Sequence, residues 1–278
     1  MLRLRYLNLL LCFGLLAGLY SCGLLPEKYD ETKDWSANKL YTEAKDQMDS
    51  GNYKLAIEYL EKLQARYPFG RYAQQAQLDL IYAYYKSDEP DSAIAAADRF
   101  IKTNPRHPFV DYAYYMKGLV NFSRGDTNIV NRLFPNDPAK TDTSLVRQSY
   151  NDFTELVRKF PNSQYADDAR QRILYLHNNL AAYEIHVADY YMKRGAYVAA
   201  VNRAEYVLQN YARTPSVPAA LAIMVKAYTK LNLPKLAADS LRVLQLNYPD
   251  SPDLPELTAL VNGTEYHKPF SFSDLVSF

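Results

Sequence analysis

Cysteine is almost absent. Of 278 residues only Cys12 and Cys22 carry a thiol, which leaves neither a disulfide framework nor a thiolate set for a metal. Histidine is nearly as scarce: His107, His177, His186 and His267 are the whole supply, and no two stand three or four residues apart. No helix face therefore presents paired imidazoles, and no metal is expected. His177 and His186 read as packing or surface residues. The nine glycines form no phosphate loop and no G-x-S-x-G nucleophile elbow. An excess of one charge is missing too. With 32 basic residues against 31 acidic ones, the net charge gives no general reason to expect nucleic acid or an anionic membrane surface as a partner. Adjacent acids such as Asp167-Asp168 diverge by about 100° on a helix, and they suit a first turn, where carboxylates complement the dipole. No catalytic residue is assigned, no cofactor is expected, and the chain reads as a non-enzyme.

Proline, by contrast, is present at regular places. Tyr67-Pro68, Asn104-Pro105, Phe160-Pro161 and Tyr248-Pro249 each close an amphipathic segment, and Tyr211-Ala212 falls where a fifth mark is due, its proline displaced to Pro215. Twelve residues before each mark lies a small residue: Ala56, Ala93, Ser149, Ala200 and Ala237. The small residue lets two antiparallel helices approach, and proline stops the second helix because it lacks an N–H and clashes with the preceding turn. This is the tetratricopeptide pattern. It predicts an all-α solenoid of five helix-turn-helix repeats, a fold that holds other molecules.

Within the repeats, Leu40, Ala44 and Met48 share one helical face, as do Tyr53, Ile57, Leu60 and Tyr67. Turns are expected at Gly51-Asn52, at 87–90, at Arg194-Gly195-Ala196 and at Leu231-Asn232-Leu233. The third repeat, with Tyr114, Gly118 and Gly125 in place, delays its second helix by 19 residues, an inserted loop at about 126–143. After Pro161 there are 14 extra residues. Fourteen is nearly four helical turns, so the apolar face keeps its orientation and 165–193 reads as one long helix joining two halves. The prolines at 252 and 255 are expected to end regular structure, leaving 263–278, with Phe270, Phe272 and Phe278, as a tail.

The start of the chain is an address. Arg3 and Arg5 precede an apolar run at 7–20, too short to span a bilayer comfortably. Leu19-Tyr20-Ser21-Cys22 resembles a bacterial lipobox. Cleavage before Cys22 removes Arg3, Arg5 and Cys12, leaving 30 basic and 31 acidic residues and a single thiol for S-diacylglycerol and N-acyl attachment. One acyl chain anchors only marginally, whereas two or three anchor stably.

Aromatic and basic residues gather in Arg66-Tyr67-Pro68-Phe69-Gly70-Arg71-Tyr72, followed by Tyr82, Tyr84 and Tyr85. Arginine clamps carboxylates and rings accept apolar side chains, which suits peptide binding. Packing of Tyr67 and Tyr82 into the helix seam is the alternative.

These stretches also carry a resemblance. Arg66-Tyr67-Pro68-Phe69-Gly70, the blocks at 74–86 and 194–203, and Phe160-Pro161-Asn162-Ser163-Gln164-Tyr165 closely resemble the BamD family, tetratricopeptide lipoproteins of the outer-membrane β-barrel assembly machine. The resemblance implies a non-catalytic scaffold lipid-anchored on the periplasmic face of the outer membrane. Its implied partners are the periplasmic POTRA region of BamA, accessory lipoproteins and unfolded β-barrel clients. It implies a client-peptide pocket at Tyr67, Phe69, Arg71, Tyr72 and Gln75. A BamA interface is implied at Arg194 and Arg203, the latter an exposed arginine able to pair with an acid on the partner. Another envelope adaptor, coordinating peptidoglycan synthesis with the outer membrane, is the rival function. The organisation read from the sequence is a signal peptide at 1–21, a lipidated tether at 22–35, repeats 1–3 at 36–161, the long helix with repeats 4–5 at 162–251, and the tail at 252–278.

Overall fold

Helix-forming segments cut by turn residues and prolines become eleven helices among the described residues of the computed structural model, 30–126 and 143–266. They are α1 (Ala37–Asp49), α2 (Tyr53–Arg66), α3 (Arg71–Lys86), α4 (Pro90–Thr103), α5 (Val110–Asp126), α6 (Ser144–Lys159), α7 (Ala166–Lys193), α8 (Tyr197–Asn210), α9 (Val217–Lys230), α10 (Pro234–Asn247) and α11 (Leu254–Asn262). Each packs on the next in chain order, giving five helix pairs and a final single helix: a tetratricopeptide solenoid. First helices of successive repeats also touch, α1 with α3, α3 with α5, and α7 with α9, so they line the inner curve.

The five marks end their helices in one way. Tyr67, Asn104, Phe160, Tyr211 and Tyr248 all leave the helix at φ between −128° and −138°. Each donates its N–H to a carbonyl four residues back, on Leu63, Phe100, Leu156, Val207 or Leu244, at 2.8 Å. All five acceptor residues are fully buried. A following proline disfavours the α region for the residue before it, and all five marks lie outside that region. Tyr211 adopts it with Ala212 in proline's place. The small residues twelve positions upstream of the marks are buried as the close approach requires, and Ser149 additionally donates its hydroxyl to the Gly118 carbonyl at 2.9 Å.

Inner turns share a second shape. Gly51, Asp88, Gly195 and Asn232 take positive φ of 76°, 60°, 72° and 56°, and the next residue donates to the carbonyl five positions before it at 2.8–2.9 Å. This left-handed stop satisfies the last carbonyls of α1, α3, α7 and α9.

The long helix runs as one piece over 28 residues. Its first half, through Ala169 and Leu176, belongs to a core with Phe100, Phe153 and Leu156. Its second half, through Leu180, Ala181 and Ala188, belongs to a core with Val207, Ile223 and Tyr228. His177 sits at the changeover, stacked on Tyr150 at 5.8 Å and edge-on to Tyr211 at 4.9 Å, whereas His186 is exposed. Asp167 and Asp168 lie in its first turn, and Asp168 also takes the Tyr115 hydroxyl at 2.9 Å.

One expectation is corrected. Regular structure continues past Pro252 as α11, with Pro255 inside its first turn, where proline's missing N–H is no loss. Leu257 is completely buried against α9 and α10 and closes the last repeat. Cys22, the inserted loop over 127–142 and the tail over 267–278 lie outside the described residues.

Candidate functional site

Gly70 takes φ 99° and starts α3 directly after Pro68-Phe69, turning the chain sharply between the first two repeats. The five residues expected to form one pocket divide there. Tyr72 points along the inner curve: its hydroxyl donates to Asn38 Oδ1 at 2.9 Å and its ring packs on Tyr41 at 5.5 Å. Gln75, one turn on, donates to Asp79 Oδ1 at 3.5 Å. Arg71 lies over the Tyr72 ring, 5.2 Å from its centroid. These three therefore share the α1–α3 face. Phe69 stands apart at 90% exposure, and the Tyr67 hydroxyl is used by the Trp35 carbonyl at 2.9 Å.

The centre of that face was not marked in the sequence. Asp79 accepts the Tyr41 hydroxyl at 2.9 Å and an ion pair from Lys45 at 3.7 Å. Burial, and then the Asp79 charge, pushes the Tyr41 phenol well above its ordinary range, so it stays a donor. The arrangement presents aromatic edges, amides and a partly shielded carboxylate, groups that engage the backbone and rings of a peptide. A spacing of 38 residues separates Tyr41 from Asp79, and helical periodicity within either segment does not reveal the pair.

Arg66, which neighbours the aromatic cluster in sequence, turns instead toward residues 30–32. Its guanidinium bonds the Asp30 carboxylate, the Thr32 carbonyl and the Thr32 hydroxyl. Lys62 reaches the same carboxylate at 3.1 Å. Trp35 then packs on Tyr59 at 5.4 Å, with Lys39 over its ring at 4.3 Å. Residues 30–35 are thus fastened to the last turns of α2, a span the sequence had assigned to the tether.

At the other end, Arg194 caps α7 beside Tyr190, which takes its hydrogen bond and lies 5.4 Å under the guanidinium. Arg203 projects from α8 and is 45% exposed, yet its Nη1 is held 3.1 Å from Glu184 of α7, whose side chain is 5% exposed. The acid it pairs with is in this chain. Among the described residues no cluster of three histidine, cysteine or carboxylate side chains could hold a metal ion, and no helix is long and apolar enough to cross a membrane.

The family model described as "YfiO: Outer membrane lipoprotein" matches residues 33–254. A Neisseria meningitidis serogroup B protein named outer membrane protein assembly factor BamD is 47% identical over 252 residues, covering 90% of this chain and 94% of that protein. A protein of the same name from Neisseria gonorrhoeae is 49% identical, covering 80% of this chain and 83% of its own. Among solved structures, the P58(IPK) TPR domain aligns at a TM-score of 0.40 and 15% identity, covering 81% of this chain and 55% of its own. With a family match over most of its length and relatives near one-half identity, this chain belongs to the YfiO/BamD family of outer membrane lipoproteins.

Proposed function

We propose that the chain serves in outer membrane protein assembly as a lipid-anchored scaffold that binds its clients without turning them over. The observation that carries this reading is near-half identity, over nine-tenths of the chain, to a protein named for that assembly process. The geometry supports a division of labour. The α1–α3 face of Tyr72, Gln75, Arg71, Tyr41 and Asp79 is the client-receiving surface, suited to a terminal segment of an unfolded β-barrel protein. Repeats 4 and 5, with Arg194 and the paired Arg203, form the side that docks the POTRA region of BamA, and accessory lipoproteins share the remaining surface. Cys22 carries the acyl chains and places the body on the periplasmic side. The 28-residue α7 fixes the separation between the receiving half and the docking half.

Purification of the tagged protein from detergent-solubilised outer membranes, followed by mass spectrometry, tests the reading. BamA in stoichiometric amount is the expected result, and its absence would overturn the assignment. For the receiving face, Tyr72→Ala with Gln75→Ala should weaken binding of a peptide from the C-terminal strand of a β-barrel protein by about tenfold, the loss of a hydrogen bond and a ring contact. Unchanged affinity in a normally folded double variant would move the client elsewhere.

A further inference from the structure

The first two repeats are electrically lopsided from edge to edge. The loops after the helix-ending prolines, 66–72 and 102–109, carry Arg66, Arg71, Lys102 and Arg106 and no acidic residue of their own. The strap at 30–35 beside the first of them adds Asp30, Glu31 and Asp34 with Lys33, Asp30 being paired with Arg66 and Lys62. The inner turns at the opposite edge carry Asp49, Asp88, Glu89 and Asp91 against Lys54 and Lys86. The basic edge is also the apolar one. Phe69 at 90% and Phe109 at 51% are the two exposed phenylalanines among the described residues. The two loops are neighbours, because the Asn104 amide donates to Gln77 at 2.9 Å and Gln74 reaches Asn104 at 3.5 Å.

A separate feature points to the same edge. The strap at 30–35 is tied by Lys62 and Arg66 to the end of α2 that leads into the 66–72 loop. Asp30 stands eight positions after Cys22, a reach of about 29 Å at most. The acyl chains therefore enter a bilayer within that reach of the end of α2 that leads into the 66–72 loop.

We propose that the edge formed by the 66–72 and 102–109 loops is a membrane-contact surface. Phe69 and Phe109 enter the interfacial zone of a phospholipid bilayer, while Lys102 and Arg106 meet anionic headgroups, the pairing of apolar and basic side chains that binds such interfaces. The strap joins the body at this edge, at the opposite end of α2 from the acidic inner turn. The inference rests on acylation of Cys22 for its geometry, and it frees the α1–α3 face to receive a client, because Phe69 stands outside that face.

The mature chain holds no thiol besides the acylated Cys22, so one introduced cysteine can be labelled selectively. An environment-sensitive fluorophore is placed at Phe69→Cys, at Phe109→Cys and, as the opposite edge, at Asp88→Cys in acylated full-length protein. The protein is reconstituted in phosphatidylethanolamine–phosphatidylglycerol vesicles. The expected result is a blue shift at 69 and 109 and a water-like spectrum at 88. Equal spectra at the three sites, or a shift only at 88, would overturn the proposal. Intact mass reports acylation independently. A mass without acyl chains sinks the anchor reading alone, and flotation of the unacylated chain with the same vesicles then decides the edge. There, Lys102→Glu with Arg106→Glu, both outside the client face, should cut binding about tenfold; unchanged flotation would count against the surface.

Discussion

Gly118 faces Phe153 across the α5–α6 seam, and a Cβ built on it would stand 2.6 Å from the ring. Gly118→Ala is therefore expected to destabilise the protein by about 1–3 kcal/mol in chemical denaturation, and Phe153→Leu in the same chain should recover part of the loss. Arg203 is the second telling residue. Arg203→Glu would set a carboxylate against Glu184, which is nearly buried. Even Arg203→Gln should cost about 1–3 kcal/mol, the lower end favoured by the arginine's partial exposure. A double-mutant cycle with Glu184→Gln measures the coupling, and a coupling near zero would return Arg203 to the free surface. The sequence marked Arg203 as exposed and basic, which it is. It could not mark the partner, since Glu184 sits on another helix at a position where a buried carboxylate has no pattern of its own. Tyr41 and Asp79 escaped notice for the same reason: periodicity locates a face, whereas pairing across faces is set by packing.

Helix boundaries were far more legible, because each is written in local chemistry. A proline mark and a small residue twelve positions before it fix a helix pair, and all five pairs form. The inner turns follow from left-handed geometry, which Asp88 and Asn232 occupy without glycine's freedom. Asp88→Gly and Asn232→Gly should each leave the fold intact and gain about 0.5–1 kcal/mol, visible as a raised thermal midpoint. Proline misled once, at α11. After a helix it signals a stop, but one residue into the next helix it signals a start, and the run Pro249, Pro252, Pro255 contains both meanings. Burial distinguishes them, and Leu257 is the residue that supplies it. Leu257→Ala should cost about 2–4 kcal/mol and loosen the last repeat first, which amide hydrogen exchange of α9 to α11 would show.

On the scale of the whole molecule, the strap and the shared helix decide how the parts behave together. The Thr32 hydroxyl, followed by Lys62, holds the Asp30 carboxyl well below the usual carboxylate range. A depressed acid contributes stability above its unfolded value, near 4, and loses it as pH falls further. The strap is therefore expected to stay fastened through neutral and mildly acidic conditions and to release only below about pH 4. Fluorescence of Trp35, the sole tryptophan, reads that release; a transition near neutrality would contradict it. The long helix has a different consequence. Its 28 residues make a beam about 42 Å long, with one half built into each of two cores and no glycine or proline between Ala166 and Lys193 to act as a hinge. In most repeat arrays each unit answers only to its neighbour, and a disturbance fades with distance. Here a twist applied at the fourth repeat is delivered to the third by a single rigid member, so the two halves share one rotational freedom and report each other's load.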